Sequence, residues 1–232
     1  PLLLITDIEA VARIAKANGI LTVIDNTFAT PINQNPLDLG IDVVIHSGTK
    51  YIGGHSDICS GVTLASEKLI AVIKESAANL GGSLNAITCY LIERSLKTLG
   101  IRIARQNINA LTVAKQLQKF PLIKKVNYPG LESHPDFEIA AKQMNGFGGM
   151  LSFELDGQGV DPYGFLKKLK LIKPALSLGG VETIICAPVA TSHEKMSNEE
   201  RAELGITDNL LRLSVGIEDP DDLIDDIEQA LK

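Results

Sequence analysis

The sequence lacks any excess of positive charge: 22 Lys+Arg stand against 28 Asp+Glu in 232 residues, a formal net charge of −6. That balance argues against a general nucleic-acid binder, whose surface must neutralise phosphates. It argues equally against an anionic membrane surface as partner. No apolar run approaches the ~18 residues of a membrane-spanning helix. Cysteine is scarce: Cys59, Cys89 and Cys186 are far apart, odd in number, and form no Cys-x-x-Cys pair or Cys/His cluster. A structural zinc site is not expected. The pattern reads as reduced thiols of a cytosolic protein, with Cys59 and Cys89 packed inside. The histidines His46, His55, His134 and His193 share no metal-ligand spacing, so no metal is assigned. Pro1-Leu2-Leu3-Leu4-Ile5 has no preceding Met, no basic stretch, and too short an apolar run for a secretory signal. It reads as the end of a strand or loop cut from something larger, and the chain as a fragment.

What is present suits a folded chain: 45% hydrophobic and 22% charged residues can offset the entropy of ordering. Thr6 with Glu9 forms a capping-box pattern ahead of Ile8, Val11, Ala12, Ile14 and Ala15 at helical spacing. Leu21-Thr22-Val23-Ile24 is a short strand ending at Asp25. Asn35-Pro36 predicts a short helix closed by Gly40, and Ile41 to His46 and Gly61 to Ala65 predict further strands. Helices alternating with apolar strands imply a parallel sheet covered on both faces. Residues 84–119 are helical in pattern, broken near Leu99-Gly100. One apolar face there is Cys89, Leu91, Ile92 and Leu96; the next is Ile101, Ala104, Ile108, Leu111 and Val113. After Pro121 short strands (125–128, 150–155, 181–186, 210–215) alternate with short helices. The expected organisation is residues 1–118 in one domain and 119–232 in a smaller α/β domain. The acidic end, from Glu218 to Asp226, reads as a capped, solvated helix.

Two strand ends carry chemistry. Asp25 follows Val23-Ile24, and Val43-Val44-Ile45-His46 runs into Ser47-Gly48-Thr49-Lys50. In open α/β sheets, ligands bind at the C-terminal strand edge. A lone Asp there is most often a cap or turn residue, and a lone Lys is most often a surface charge. Gly-Thr-Lys lacks the spacing of a nucleotide-binding P-loop. The pairing of an acid and a lysine on successive strand ends is more informative. Pyridoxal phosphate (PLP) needs a lysine for covalent attachment, an acid opposite its ring nitrogen and a donor cradle for its phosphate. Lys50, Asp25 and the Ser47/Thr49 hydroxyls match those needs.

The segments Val23 to Pro31, Asn35-Pro36-Leu37-Asp38-Leu39-Gly40 and His46 to Asp57 resemble the Cys/Met-metabolism family of PLP enzymes. That family includes cystathionine γ-synthase, cystathionine γ-lyase, methionine γ-lyase and the homoserine sulfhydrylases. The likeness continues through Tyr128-Pro129-Gly130-Leu131, Gly146-Phe147-Gly148-Gly149-Met150, Ser177-Leu178-Gly179-Gly180-Val181-Glu182 and Leu211-Arg212-Leu213-Ser214-Val215-Gly216. It spans essentially the whole sequence.

The resemblance implies a PLP-dependent transferase fold (aspartate aminotransferase-like, fold type I): part of a large α/β domain plus a smaller C-terminal α/β domain. It implies that Lys50 is the Schiff-base lysine and proton shuttle. Asp25 is the pyridinium partner, Ser47 and Thr49 are phosphate contacts, and Thr27 lies beside the ring. Arg212 clamps the substrate α-carboxylate and Ser177 is its neighbour. A planar guanidinium can hold a carboxylate by two charge-assisted bonds; the plain alternative for Arg212 is a solvent-facing charge on an alternating strand. The implied activity is a trans-sulfuration reaction at the γ-carbon of a homoserine-derived or sulfur amino acid, of the cystathionine γ-synthase or γ-lyase type. Methionine γ-lyase, an O-acylhomoserine sulfhydrylase and a non-catalytic assembly module are the alternatives. Leu176 favours the methionine γ-lyase pattern, whereas Gly53-Gly54-His55-Ser56 and Asp208 to Arg212 favour the cystathionine enzymes. A small amino-acid substrate, a homotetramer and a cytoplasmic location are also implied. The family's inter-subunit arm, phosphate-binding glycine loop and ring-stacking aromatic would precede Pro1.

Overall fold

The computed structural model describes residues 1–157 and 159–232. Two sheets organise the chain. Helix α1 (Ile8–Ala17) leads into β1 (Val23–Asp25), a short α2 (Thr30–Asn33) and β2 (Val43–Ser47). A kinked turn over Gly48–Ile52, in which Lys50 departs from helical geometry at φ −91° and ψ −128°, then precedes β3 (Gly61–Ala65). Three helices follow: α3 (Glu67–Leu80), α4 (Ala86–Leu96) and α5 (Leu99–Leu117). The second half comprises β4 (Ile123–Asn127), α6 (Phe137–Gln143), β5 (Met150–Leu155), α7 (Pro162–Lys168), β6 (Lys173–Pro174) and β7 (Ile184–Cys186). It closes with α8 (Asn198–Glu203), β8 (Leu210–Ser214) and α9 (Pro220–Leu231).

The small sheet has the order β1-β2-β3. β1 and β2 are parallel, but β3 runs antiparallel to β2, pairing Val44 with Leu64. This corrects the expectation of an all-parallel sheet: β2 and β3 are joined by a loop of fewer than fifteen residues containing no crossover helix long enough to bring the chain back. Helix α1 covers the face bearing Ile24 and Val44, packing Ile8 and Ala12 against them with Ile41. Val23 and Ile45, on the other face, remain exposed. The start of α1 also differs from the sequence expectation. Asp7, not Thr6, is the N-cap, accepting the Ala10 amide at 3.0 Å. Asp caps at least as well as Thr, and the shift frees Glu9 to pair with Lys142. Residues 36–40 form successive turns rather than a helix.

The large sheet has the order β4-β5-β8-β7-β6, antiparallel except for the β6–β7 pair. Its core joins Leu151, Phe153, Leu155, Leu211 and Leu213 to Phe165 of α7 and to Leu223 and Ile227 of α9. Each such side chain, fully withdrawn from water, contributes about 1.5–3 kcal/mol. Helix α9 is capped by Asp219, but it is not wholly solvated. Asp226 is buried, and its carboxylate accepts the amides of Lys170, Leu171 and Ile172 at 2.8–2.9 Å.

The long helices present different faces from those expected. In α5 the buried apolar residues are Leu99, Ile103, Ala110, Val113, Ala114 and Leu117, with Arg102, Gln106 and Asn109 buried beside them. Ile101 and Ile108 point outward. The apolar stripe is displaced because buried polar side chains hold positions that a hydrophobicity pattern assigns to solvent. Cys59 and Cys89 are exposed, against expectation, and Cys186 is buried. Cys89 lies on the outer side of α4, whose one buried residue is Ser95. Among the described residues, no helix is long and apolar enough to cross a membrane.

Candidate active site

Asp25 closes β1 on the sheet face shared with Ile45. Its Oδ1 accepts the Thr27 amide at 2.9 Å. The Thr27 hydroxyl in turn accepts the Ser47 amide at 2.7 Å. One hydrogen-bonded chain therefore links the first strand end to the second, and Ser47 leads directly into the turn bearing Lys50. The loop after Asp25 is stiffened from within. Asn26 donates to the Gln34 carbonyl at 2.9 Å and accepts from Gln34 Nε2 at 2.7 Å. Buried Thr30 adopts a left-handed φ of 67° inside that loop. Such a conformation is costly for a β-branched residue and persists only where surroundings enforce it.

Thr49 is tied to the loop entering β3. Its hydroxyl accepts the Ser60 amide at 3.0 Å and reaches the Ser60 carbonyl at 3.3 Å. Gly48 has no room for a Cβ, which would fall 2.3 Å from the Ser60 hydroxyl. Tyr51, next to Lys50, is fully buried, and burial pushes its phenol far above the ordinary value. His46 is also buried. Desolvation holds its pKa below the usual imidazole value, while the Asp25 carboxylate pulls in the other direction.

Lys50 Nζ donates to Ser177 Oγ at 3.0 Å. Arg212, on β8 at the centre of the large sheet, donates Nη2 to the carbonyls of Leu176 at 3.1 Å and Ser177 at 3.2 Å. It is therefore neither a free surface charge nor a buried ion pair. Ser214, two residues on and on the same face of β8, accepts the Gly179 amide at 2.8 Å. Gly179 has a φ of 77°, and a Cβ there would lie 2.8 Å from the Tyr51 nitrogen. The 176–180 loop is thus pressed between the Lys50 turn and β8. Lys50, Ser177 and Arg212 meet at the seam of the two sheets. Asp25, Thr27 and Ser47 form a second, connected group along the small sheet's edge.

No carboxylate among the described residues forms an ion pair with Lys50 or Arg212. Two cations at a shared seam, held by neutral oxygens, leave their charge available to an anion. Together with a carboxylate and two hydroxyls at the adjoining strand ends, this donor set fits a phosphorylated pyridine aldehyde and an amino-acid carboxylate. Among the described residues, no group of three His, Cys, Asp or Glu is arranged to hold a metal. Sequence reading missed Arg102 and Gln106, which hold the Lys50 turn and the 176–180 loop from behind. Their signal is a charged and an amide residue, four apart, inside a helical stripe whose other buried members, Asn109 apart, are apolar.

Comparison with known proteins shows the family. The family described as Cys/Met metabolism PLP-dependent enzyme matches residues 1–232, and the chain belongs to it. The chain is 47% identical over 231 residues to cystathionine gamma-synthase 1, chloroplastic, of Nicotiana tabacum, covering all of this chain and 43% of that protein. It is 46% identical over 233 residues to cystathionine beta-lyase of Lactococcus lactis subsp. cremoris, of which it covers 61%. The crystal structure of cystathionine gamma-lyase from Lactobacillus plantarum complexed with L-serine superposes with a TM-score of 0.95 at 43% identity. That match covers 99% of this chain and 60% of the other. The chain therefore spans about two-fifths to three-fifths of the length of these relatives. The fold is the mixed α/β arrangement of PLP fold type I, a large-domain portion with a smaller C-terminal α/β part.

Proposed function

We propose that the protein is a PLP-dependent enzyme that makes or breaks a carbon–sulfur bond at the γ-carbon of a homoserine-derived or sulfur amino acid. The observation that carries this reading is the Lys50–Ser177 contact at 3.0 Å beside an Arg212 that has no carboxylate partner among the described residues. When bound, PLP supplies an electron sink that makes a substrate's Cα–H acidic. Lys50 Nζ holds the cofactor between turnovers and carries protons to and from the substrate carbons, within reach of the Ser177 hydroxyl. Arg212 binds the α-carboxylate and so fixes the Cα–H direction. Asp25, held by the Thr27 amide, would be the acid that pairs with the ring nitrogen. Ser47, Thr49 and Thr27 serve the phosphate and ring edge. The substrate is a small amino acid, and the whole protein assembles as a tetramer.

A second reading, chemistry at the β-carbon, is favoured by the 46% identity to a cystathionine β-lyase. The same residues serve either, because both begin with loss of the Cα proton. Borohydride reduction of the whole protein with PLP, followed by peptide mapping, should place the label on Lys50; a label elsewhere, or none, rejects the reading. Product analysis with cystathionine alone, and with O-acylhomoserine plus cysteine, separates the reactions. α-Ketobutyrate from cystathionine indicates γ-elimination, pyruvate indicates β-elimination, and cystathionine from the pair indicates γ-replacement.

A further inference from the structure

Helix α5 packs against the turn that carries Lys50 and holds both loops that meet at the seam. Arg102 and Gln106 stand one turn apart on a single face of α5, with relative exposures of 4% and 0%. Arg102 Nη1 donates to the Tyr51 carbonyl at 2.7 Å, and Nη2 donates to the carbonyls of Ile52 at 3.3 Å and Ser95 at 3.1 Å. Its Nε donates to Thr98 Oγ1 at 3.2 Å. A buried guanidinium is costly unless its donors are satisfied, and here four neutral oxygens surround it. Burial correspondingly lowers its pKa. Gly54 leaves space for it: at φ 72°, a Cβ would fall 2.1 Å from Nη1.

Gln106 performs the matching task on the other loop. Its Nε2 donates to the Gly180 carbonyl at 2.8 Å. The two loops are further joined by the Val181 amide donating to the Gly54 carbonyl at 2.9 Å. One helical turn therefore grips the backbone one and two residues after Lys50, and also three residues after Ser177. We propose that Arg102 and Gln106 are positioning residues that set the Lys50 amine against the Ser177 hydroxyl. Neither reaches the seam itself; each acts through backbone carbonyls. This inference rests on the proposed function only for what Lys50 does once placed.

The test uses the whole protein and the variants Arg102→Met, Arg102→Lys and Gln106→Leu. Amide hydrogen exchange followed by mass spectrometry, without cofactor, reads the segments 48–54 and 176–181 against β5 and β8. Losing hydrogen bonds from a charged donor should raise exchange in 48–54 by about tenfold or more in Arg102→Met. Arg102→Lys should restore part of that protection, since a single ammonium can satisfy one or two of the carbonyls. Gln106→Leu should loosen 176–181 first, by roughly threefold to tenfold. In each loosened variant, borohydride capture of PLP at Lys50 should slow while the label stays on Lys50. Unchanged exchange in both segments with unchanged capture overturns the proposal. An equal rise across β5 and β8 also overturns it, since that is general destabilisation. Should Arg102→Met not fold, Arg102→Lys and Gln106→Leu decide the matter by the same criteria. If the unmodified protein takes no label at Lys50, the cofactor reading fails, while the exchange pattern still decides the positioning role.

Discussion

The five-stranded sheet buries Leu151, Phe153, Leu155, Leu211 and Leu213 completely, whereas the three-stranded sheet leaves Val23, Ile45 and Leu64 exposed. The candidate site draws on both. Arg212 stands on the thick sheet, where its strand is hydrogen-bonded on both sides. Asp25 and Lys50 stand at the end of the thin one. A guanidinium on a dense base needs little extra support to keep its direction. The Lys50 turn receives contacts from Ser177 and from the face of α5.

Substitutions should divide accordingly. The largest effect belongs to Lys50→Ala, which removes the amine proposed to react and should lower turnover by at least about 10³-fold, with the melting temperature little changed. Substantial turnover in that variant would place the chemistry elsewhere. Phe153→Ala reverses the pattern: a fully buried aromatic lost from the thick sheet should cost about 3–5 kcal/mol in denaturant unfolding. A cost below 1 kcal/mol would mean that the two sheets are not as unequal as their burial suggests.

Arg212→Lys lies between these. A point charge replaces a fork, and kcat/KM should fall about 10–100-fold, chiefly through KM. An unchanged KM would remove Arg212 from substrate binding. Asp226→Asn leaves an acceptor for some of the three amides but discards the charge, at about 1–3 kcal/mol of stability; unaltered stability would show the cluster to be dispensable. The smallest effect concerns His46 and the thin sheet. Its pKa in the folded state lies below the ordinary 6.5. The unfolded chain therefore binds the proton more readily, and stability should fall as pH drops through and below 6.5. His46→Gln should flatten that slope by about 1 kcal/mol or less between pH 7 and 5. Equal slopes in both proteins would refute the assignment.

Much of this was visible in the residues themselves. A polar group ending an apolar strand is a local signal, and it marks both Asp25 and the run from Ser47 to Lys50. Met150 to Leu155 and Pro162 to Lys168 are strand and helix over those very spans. What escaped was non-local. The turn at 36–40 and the Asp7 cap are choices between near-equal local options. The buried face of α5 is not legible in its hydrophobic pattern because Arg102, Gln106 and Asn109 draw on carbonyls 50 to 109 residues away, and no such pattern records those partners. The exposure of Cys59 and Cys89 follows from the same limit. Being apolar says only that a residue could be buried, not that a neighbour exists to cover it.

The loop between Leu176 and Gly180 has a practical corollary for anyone reshaping the protein. At 179 the backbone's left-handed turn and the nearby Tyr51 nitrogen tolerate a hydrogen atom and little else, so randomising that codon would mostly yield misshapen clones. Three positions earlier, the Leu176 side chain is 72% exposed while only its main-chain oxygen engages Arg212. A saturation library confined to 176 would therefore vary an exposed side chain while leaving the main-chain contact to Arg212 in place.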